Sequence, residues 1–396
     1  MNNQKSNSIF AKNLSTVFIV ASPFQLMCAI EAIYEFEIKS YKFVFCLVPG
    51  WGRNNQMFEI AKARKIDYDI IDYGSNTDTY FDIQKGQYKI ECTGLYDRIF
   101  IGDFFQSYYF FIVPIYARKG AVVGYIDDGN DTILFLKGIE KEHKPANLRA
   151  QLHWYRNLRY RETGKRNAAR NDFCRLGICD SKAFFTIFNN IQSKLFAIHP
   201  NTFSHLIPQK GKSHLLHQVI VIGTCMSVYA EEVAGIRVSL LESILWDKLC
   251  NLRKMYPKDE IFYVPHPRDD DQYIPSFCKL LNIKYEKIYE PIEMYCINNG
   301  IEPIAIVGMR SNAHVALKRI YPTSEVTFWH VASQKGKDYN KIDKVLMRYY
   351  NKCGIKNEEF LLDDSEFLNK SNMLDNIKSL FRLIFDKITR YKYAKK

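Results

Sequence analysis

Short runs of β-branched and aromatic residues recur along the chain, each closed by a cluster of Ser, Pro, Gly or Asp. In the first half they are Thr16 to Ala21 (TVFIVA), Lys42 to Val48 (KFVFCLV), Arg98 to Gly102 (RIFIG) and Ala121 to Ile126 (AVVGYI). Apolar runs of this length, bounded by turn residues, predict the buried strands of a parallel sheet. Residues 24–36 and 56–64 carry apolar side chains at helical spacing between these runs, so strand and helix alternate as in a doubly wound sheet. The same pattern restarts at Gln218 to Gly223 (QVIVIG), Ile261 to Pro265 (IFYVP), Pro303 to Gly308 (PIAIVG) and Val326 to Val331 (VTFWHV), which predicts a second sheet. From Lys144 to Lys212 there are short helical patterns and basic residues without a strand series, so this stretch is the expected connector, with the boundary near residue 210.

A chain of 396 residues exceeds one small core and suits two domains. The 27 Phe and 26 Tyr are ample for large buried clusters, and the hydrophobic share of 47% is that of a globular protein. Charge adds more: 55 basic against 43 acidic side chains leave a net +12, a field that favours anionic partners such as nucleotides, glycans bearing phosphate, nucleic acid or a lipid surface. The ten cysteines include no CxxC pair, and Cys46, Cys225 and Cys250 sit within apolar runs, so reduced thiols in the cytoplasm are expected and no metal site is predicted. Cys174 and Cys179 form the closest pair but lack a second pair or His cluster at zinc spacing. The first fifteen residues are mostly polar, no signal core follows, and no apolar run reaches the roughly 20 residues of a bilayer crossing.

Three motifs fall just past the carboxyl ends of predicted strands, where open α/β sheets bind ligands. Asp127-Asp128-Gly129 follows Ala121 to Ile126; adjacent carboxylates repel, which favours a raised pKa on one of them, and Asp128 is the candidate base. The other reading is a solvated turn with Asp capping a helix. Pro265-His266-Pro267-Arg268 places an imidazole on a stiff backbone beside a cation, suited to a departing phosphate as acid or as charge; a structural His at a strand end has the same sequence. Gly308-Met309-Arg310-Ser311-Asn312 reads either as a strand-to-helix phosphate loop using Ser311 or as a plain Ser cap on the helix from Asn312 to Lys318.

In this order the motifs resemble the bacterial sialyltransferases, and most closely glycosyltransferase family 52, the lipooligosaccharide and capsule type. The likeness runs through Thr16 to Glu31 (TVFIVASPFQLMCAIE), Tyr125 to Gly129, Tyr263 to Arg268 and Val307 to Leu317. It implies an α/β protein of GT-B architecture, two Rossmann-like domains facing across a cleft, with an acceptor domain over residues 1–210 and a CMP-sugar domain over residues 211–370. The implied activity is inverting, metal-independent transfer of sialic acid from CMP-Neu5Ac to a glycan, with terminal galactose of lipooligosaccharide, O-antigen or capsule as acceptor. No cofactor is implied besides the CMP-sugar co-substrate. By position, Asp128 is the base, His266 the acid or phosphate partner, and Ser311 a phosphate ligand. Glu293 resembles the ribose-binding carboxylate, and Gly223 and Thr224 the loop lining the nucleotide; Pro267, Arg268, Arg310 and Asn312 complete the donor side. Ser22, Gln25, Asp103, Asp127 and Gly129 fall on the acceptor side. Met309 and Arg310 depart from the small or apolar residues of relatives, which leaves open another nucleotide sugar, and a polysialyltransferase is a further alternative.

Two basic features stand apart. Lys144 to Arg175 carries nine Lys or Arg against two acids, interleaved with Trp154, Tyr155 and Tyr160, and suits a solvated face, an anionic glycan or membrane surface, or nucleic acid. The nucleic-acid reading leaves the three strand-end motifs without a role, so no nucleic-acid partner is expected. Residues 371–396 form a basic amphipathic helix, which either packs on the core or docks on the inner face of the inner membrane, where a lipid-linked acceptor would stand.

Overall fold

The computed structural model describes residues 9–47, 53–72, 93–102, 109–141, 175–188, 190–193, 196–206, 216–230, 236–269, 272–309, 311–332 and 337–361. The chain divides into two compact units, Met1–Ser213 with Ile288–Asn299, and His214–Lys287 with Gly300–Lys396. Each is an α/β unit built on a parallel sheet. The terminal segment 371–396 and nearly all of Lys144 to Arg175 lie outside the described residues.

The first unit runs β1 (Thr16–Val20), α1 (Pro23–Glu35), β2 (Tyr41–Leu47), α2 (Arg53–Arg64), β3 (Tyr68–Asp72), β4 (Tyr96–Ile101), α3 (Tyr109–Tyr116), β5 (Ala117–Ile126), α4 (Asn130–Lys141), β6 (Cys179–Thr186) and β7 (Ala197–Pro200). Its described strands lie in the order β3-β2-β1-β4-β5-β6-β7. The sheet grows one way from β1 to β3 and the other way from β4 to β7, so its topological switch point lies between β1 and β4. Register places Phe18 beside Phe43 on one flank and Phe100 on the other, with ring centroids 5.2 and 5.3 Å apart. The three in-register rings tie the central strands through cross-strand packing. Arg98, fully buried on β4, donates to Thr16 Oγ1 at 2.8 Å and to the carbonyls of Ile9 and Ala11 at 2.6 and 3.1 Å. It fastens the chain ahead of β1 to the sheet, and burial draws its pKa down to about 10.

Strands β6 and β7 correct the expectation that Lys144 to Lys212 holds no strands. The first half of β6, Cys179-Asp180-Ser181-Lys182, is polar, so it lacks the apolar run that marks the central strands. Its apolar half packs Phe184 on Tyr125 with centroids 4.8 Å apart. β7 has four residues and ends at Pro200, which fits an edge strand.

The second unit contains β8 (Leu216–Ile222), α5 (Val238–Met255), β9 (Glu260–Val264), α6 (Ile274–Leu280) and β10 (Lys284–Tyr285). Helix α7 (Ile292–Asn298) follows in the chain but groups with the first unit. The second unit resumes with β11 (Ile301–Gly308), α8 (Ala313–Ile320), β12 (Glu325–Ala332), α9 (Lys337–Lys352) and β13 (Lys356–Leu361). Its strand order, β10-β9-β8-β11-β12-β13, puts a switch point between β8 and β11. Leu241, Ile244 and Leu249 of α5 share a buried core with Val219 and Val221 of β8 and Ile261 and Tyr263 of β9. Among the described residues no helix is long and apolar enough to cross a membrane, and the described cysteines are all free thiols.

Candidate functional site

At the carboxyl edge of the first sheet, Ser22 caps α1: its hydroxyl accepts the N–H of Gln25 at 3.2 Å, and Pro23 opens the helix where no N–H donor is needed. Gln25 is 1% exposed, and both ends of its amide are engaged. Oε1 accepts the Ala21 N–H at 2.7 Å, and Nε2 donates to Asp128 Oδ1 at 2.6 Å. Room for this side chain comes from Gly102 at the end of β4, where a Cβ would stand 2.4 Å from the Gln25 amide carbon. Gln25 thus joins the ends of β1 and β5 by hydrogen bonds, with the end of β4 leaving the room for it.

The two acids after β5 play different parts. Asp127 is fully buried, accepts from the Thr186 hydroxyl and from the Ile187 N–H at the end of β6, and is pushed up to about 7 by burial. The raised carboxyl is therefore Asp127, and its cause is desolvation rather than repulsion between neighbours. So enclosed, Asp127 holds the β5 and β6 ends together and has no surface to offer an acceptor. Asp128 is half-buried, and its own N–H donates to Thr132 Oγ1 at 3.0 Å. Gly129 has φ 61, a conformation that favours glycine, and turns the chain directly into α4. Asp103 lies outside the described residues.

In the second unit the strand order β9-β8-β11 gathers three loops. Gly223 ends β8, its N–H donating to the Val264 carbonyl at 2.8 Å. A Cβ there would meet that carbonyl oxygen at 2.8 Å and Pro265 Cα at 2.9 Å, so glycine is what lets the β8 and β9 ends close up. Thr224, next in the chain, is half-buried. At the end of β11, Gly308 has φ 154, and a Cβ would stand 2.3 Å from the Ile222 carbonyl oxygen, so a bare backbone again permits the approach.

His266, half-buried, follows β9 in a turn closed by the Asp269 N–H on its carbonyl at 2.8 Å. Its Nδ1 accepts the Arg268 N–H at 3.2 Å, which assigns the ring hydrogen to Nε2. Burial, then the charge of Arg268, pulls its pKa down to about 4. The expected imidazolium is thus a neutral ring at pH 7, an Nε2–H donor rather than a fixed charge. Pro267 and Arg268 are exposed, and the Arg268 carbonyl lies 3.7 Å from Cys225 Sγ.

Ser311 and Asn312 are half-buried before α8. The Ser311 hydroxyl accepts the Ala313 N–H at 3.2 Å, so the cap read from the sequence is present one residue away from the assigned N-cap, Asn312. Two residues that sequence reasoning missed bond the Ser311 carbonyl: His314 Nδ1 and Tyr350 Oη, both at 3.2 Å. His314 is fully buried and held near 4 by desolvation, and on a helix face it reads as an ordinary core histidine. Arg310 lies outside the described residues.

Glu293 belongs to the first unit. It is 4% exposed on α7, and its charge, with those of Asp127 and Glu31, acts on the buried thiol of Cys28 on α1. Burial pushes its pKa up to about 7. The structure therefore groups this carboxyl with the Asp128 unit, while Gly223, His266 and Ser311 belong to the second.

No protein-family model matches the chain, and no curated protein matches it either. Among solved structures it is similar to a 2,6-sialyltransferase of Vibrionaceae Photobacterium sp. JT-ISH-224, determined in a ternary complex with the donor product CMP and the acceptor substrate lactose. That likeness has 11% identity and a TM-score of 0.46 over 88% of this chain and 78% of that one. The chain is also similar to Acinetobacter baumannii MurG, at 11% identity and a TM-score of 0.37 over 93% of this chain and 90% of that one. Both likenesses are distant, and the two α/β units rest on their own strand order.

Proposed function

We propose that this chain is a GT-B glycosyltransferase of the family 52 sialyltransferase type, transferring sialic acid from CMP-sialic acid to a galactose-terminated glycan with inversion. The observation that carries the reading is the second sheet's switch point, where Gly223 lies between the loop bearing His266 and Arg268 and the loop bearing Ser311. Backbone brought close by glycines, an Nε2–H donor and a guanidinium beside it suit a nucleotide phosphate. The first unit supplies the complementary group, a carboxylate held at the carboxyl edge of its own sheet.

In the proposed reaction Asp128 takes the proton of an acceptor hydroxyl as that oxygen's lone pair forms the new bond to the anomeric carbon. The bond from that carbon to the phosphate oxygen breaks with its electron pair, and CMP leaves as the anion. His266 donates Nε2–H to that oxygen. An arriving phosphate supplies the negative charge that favours a protonated imidazole, so His266 can gain charge as the donor binds. Ser311 is assigned to the phosphate, and the reaction is proposed to need no metal.

The test of the nucleotide is thermal shift with CMP, UDP and GDP. The reading expects CMP alone to raise the melting temperature, because a ligand that binds the folded form stabilises it by mass action. A shift with UDP or GDP and none with CMP would replace the donor with another nucleotide sugar.

A further inference from the structure

We propose that Gln25 is the positioning residue of the base, its buried amide fixing the rotation of the Asp128 carboxylate. This rests on the assignment of Asp128 above and deepens it. An amide has one accepting and one donating end. The Ala21 N–H claims the accepting end at 2.7 Å, which leaves only a donor to face Asp128 Oδ1 at 2.6 Å. Flipping the amide would set N–H against N–H at Ala21 and oxygen against oxygen at Asp128, two mismatches in a place where the side chain is 1% exposed. Gly102 secures the arrangement from the other strand, since a Cβ there would fall 2.4 Å from the amide.

A carboxylate on a half-exposed loop otherwise rotates about its side-chain bonds. Here Oδ1 is kept as an acceptor by the Gln25 Nε2–H. Gln25 thereby sets how the base is presented without touching the acceptor, a role distinct from the acceptor contact that the resemblance implied for it.

Gln25→Glu keeps the shape and the acceptor to Ala21 while replacing the donor with a like charge. The acid limb of the kcat/KM profile should then move up by on the order of one pH unit, with turnover reduced about tenfold on the acid side of the limb, recovered above it, and CMP binding unchanged. Gln25→Met, which has the length and neither polar end, should lower kcat about tenfold with a smaller displacement of the limb in the same direction and an unchanged CMP thermal shift. A wild-type profile in Gln25→Glu, or a loss by one factor at every pH, overturns the proposal; so does full turnover in Gln25→Met. Asp128→Asn separates this from the underlying assignment: wild-type turnover there removes the base itself, whatever the Gln25 variants do.

Discussion

Glu293→Gln should stabilise the protein at alkaline pH and not at acid pH. The Glu293 carboxyl has a pKa pushed from 4.5 to about 7 by burial on α7, so folding favours its protonated form. For a carboxyl raised in this way, its contribution to stability is fully present below 4.5 and is lost as pH rises through about 7. At roughly 1.4 kcal/mol per pH unit, the gap comes to about 3 kcal/mol of stability lost by pH 8. Glutamine has the same shape and does not ionise. Any cost of seating its NH2 group is the same at both pH values and cancels in the comparison, as does the loss carried by Asp127, which both proteins share. Melting curves of the two proteins at about pH 5 and about pH 8 supply the readout. The variant's melting temperature relative to wild type should rise by about 5 to 10 °C between them, part of the loss having already occurred at pH 5. A difference that stays the same at both pH values would refute the burial of an ionisable carboxyl at this position.

Other expected outcomes follow from the strand-end loops. His266→Ala should lower turnover about 10²-fold, measured at saturating donor. Tyr350→Phe removes one of the two donors on the Ser311 carbonyl and should raise the donor KM about fivefold, the value of one hydrogen bond, with kcat unaltered; a kcat loss with unchanged KM would contradict the loop-holding role. Gly308→Ala forces a Cβ toward the Ile222 carbonyl, a clash of backbone with backbone, and should cost more than about 2 kcal/mol in a thermal melt.

The central strands were legible because they are buried on both faces, which writes itself as TVFIV, FVFCL or IVIG in the chain. The edges were not. β6 opens with Asp180 and Lys182, and its burial depends on Tyr125 and Phe196 arriving from distant segments. The site followed the same division. Position past a strand end pointed to Asp127-Asp128-Gly129, yet only the β6 end, with Thr186 and Ile187, decides which acid is enclosed and which is presented. The resemblance put Gln25 on the acceptor side; its contact with Asp128 shows only once β4 and β5 bring Gly102 and Asp128 to it. The charge of His266 depends on its enclosure as well as on Arg268, and a motif records only the second. The grouping of Glu293 with the first unit follows from contacts made by a segment distant in sequence from that unit's strands, which a motif does not record.

Transfer itself is the most direct test of the account. With CMP-sialic acid as donor and lactose as acceptor, product masses are to be recorded for the wild-type chain, with and without EDTA, and for Asp128→Ala. The expected product is lactose carrying one added sialyl residue, formed equally in EDTA, at a rate about 10²-fold lower in the variant while CMP still stabilises it. Sialyl transfer at the wild-type rate by Asp128→Ala, or transfer by the wild-type chain that EDTA abolishes, would contradict it.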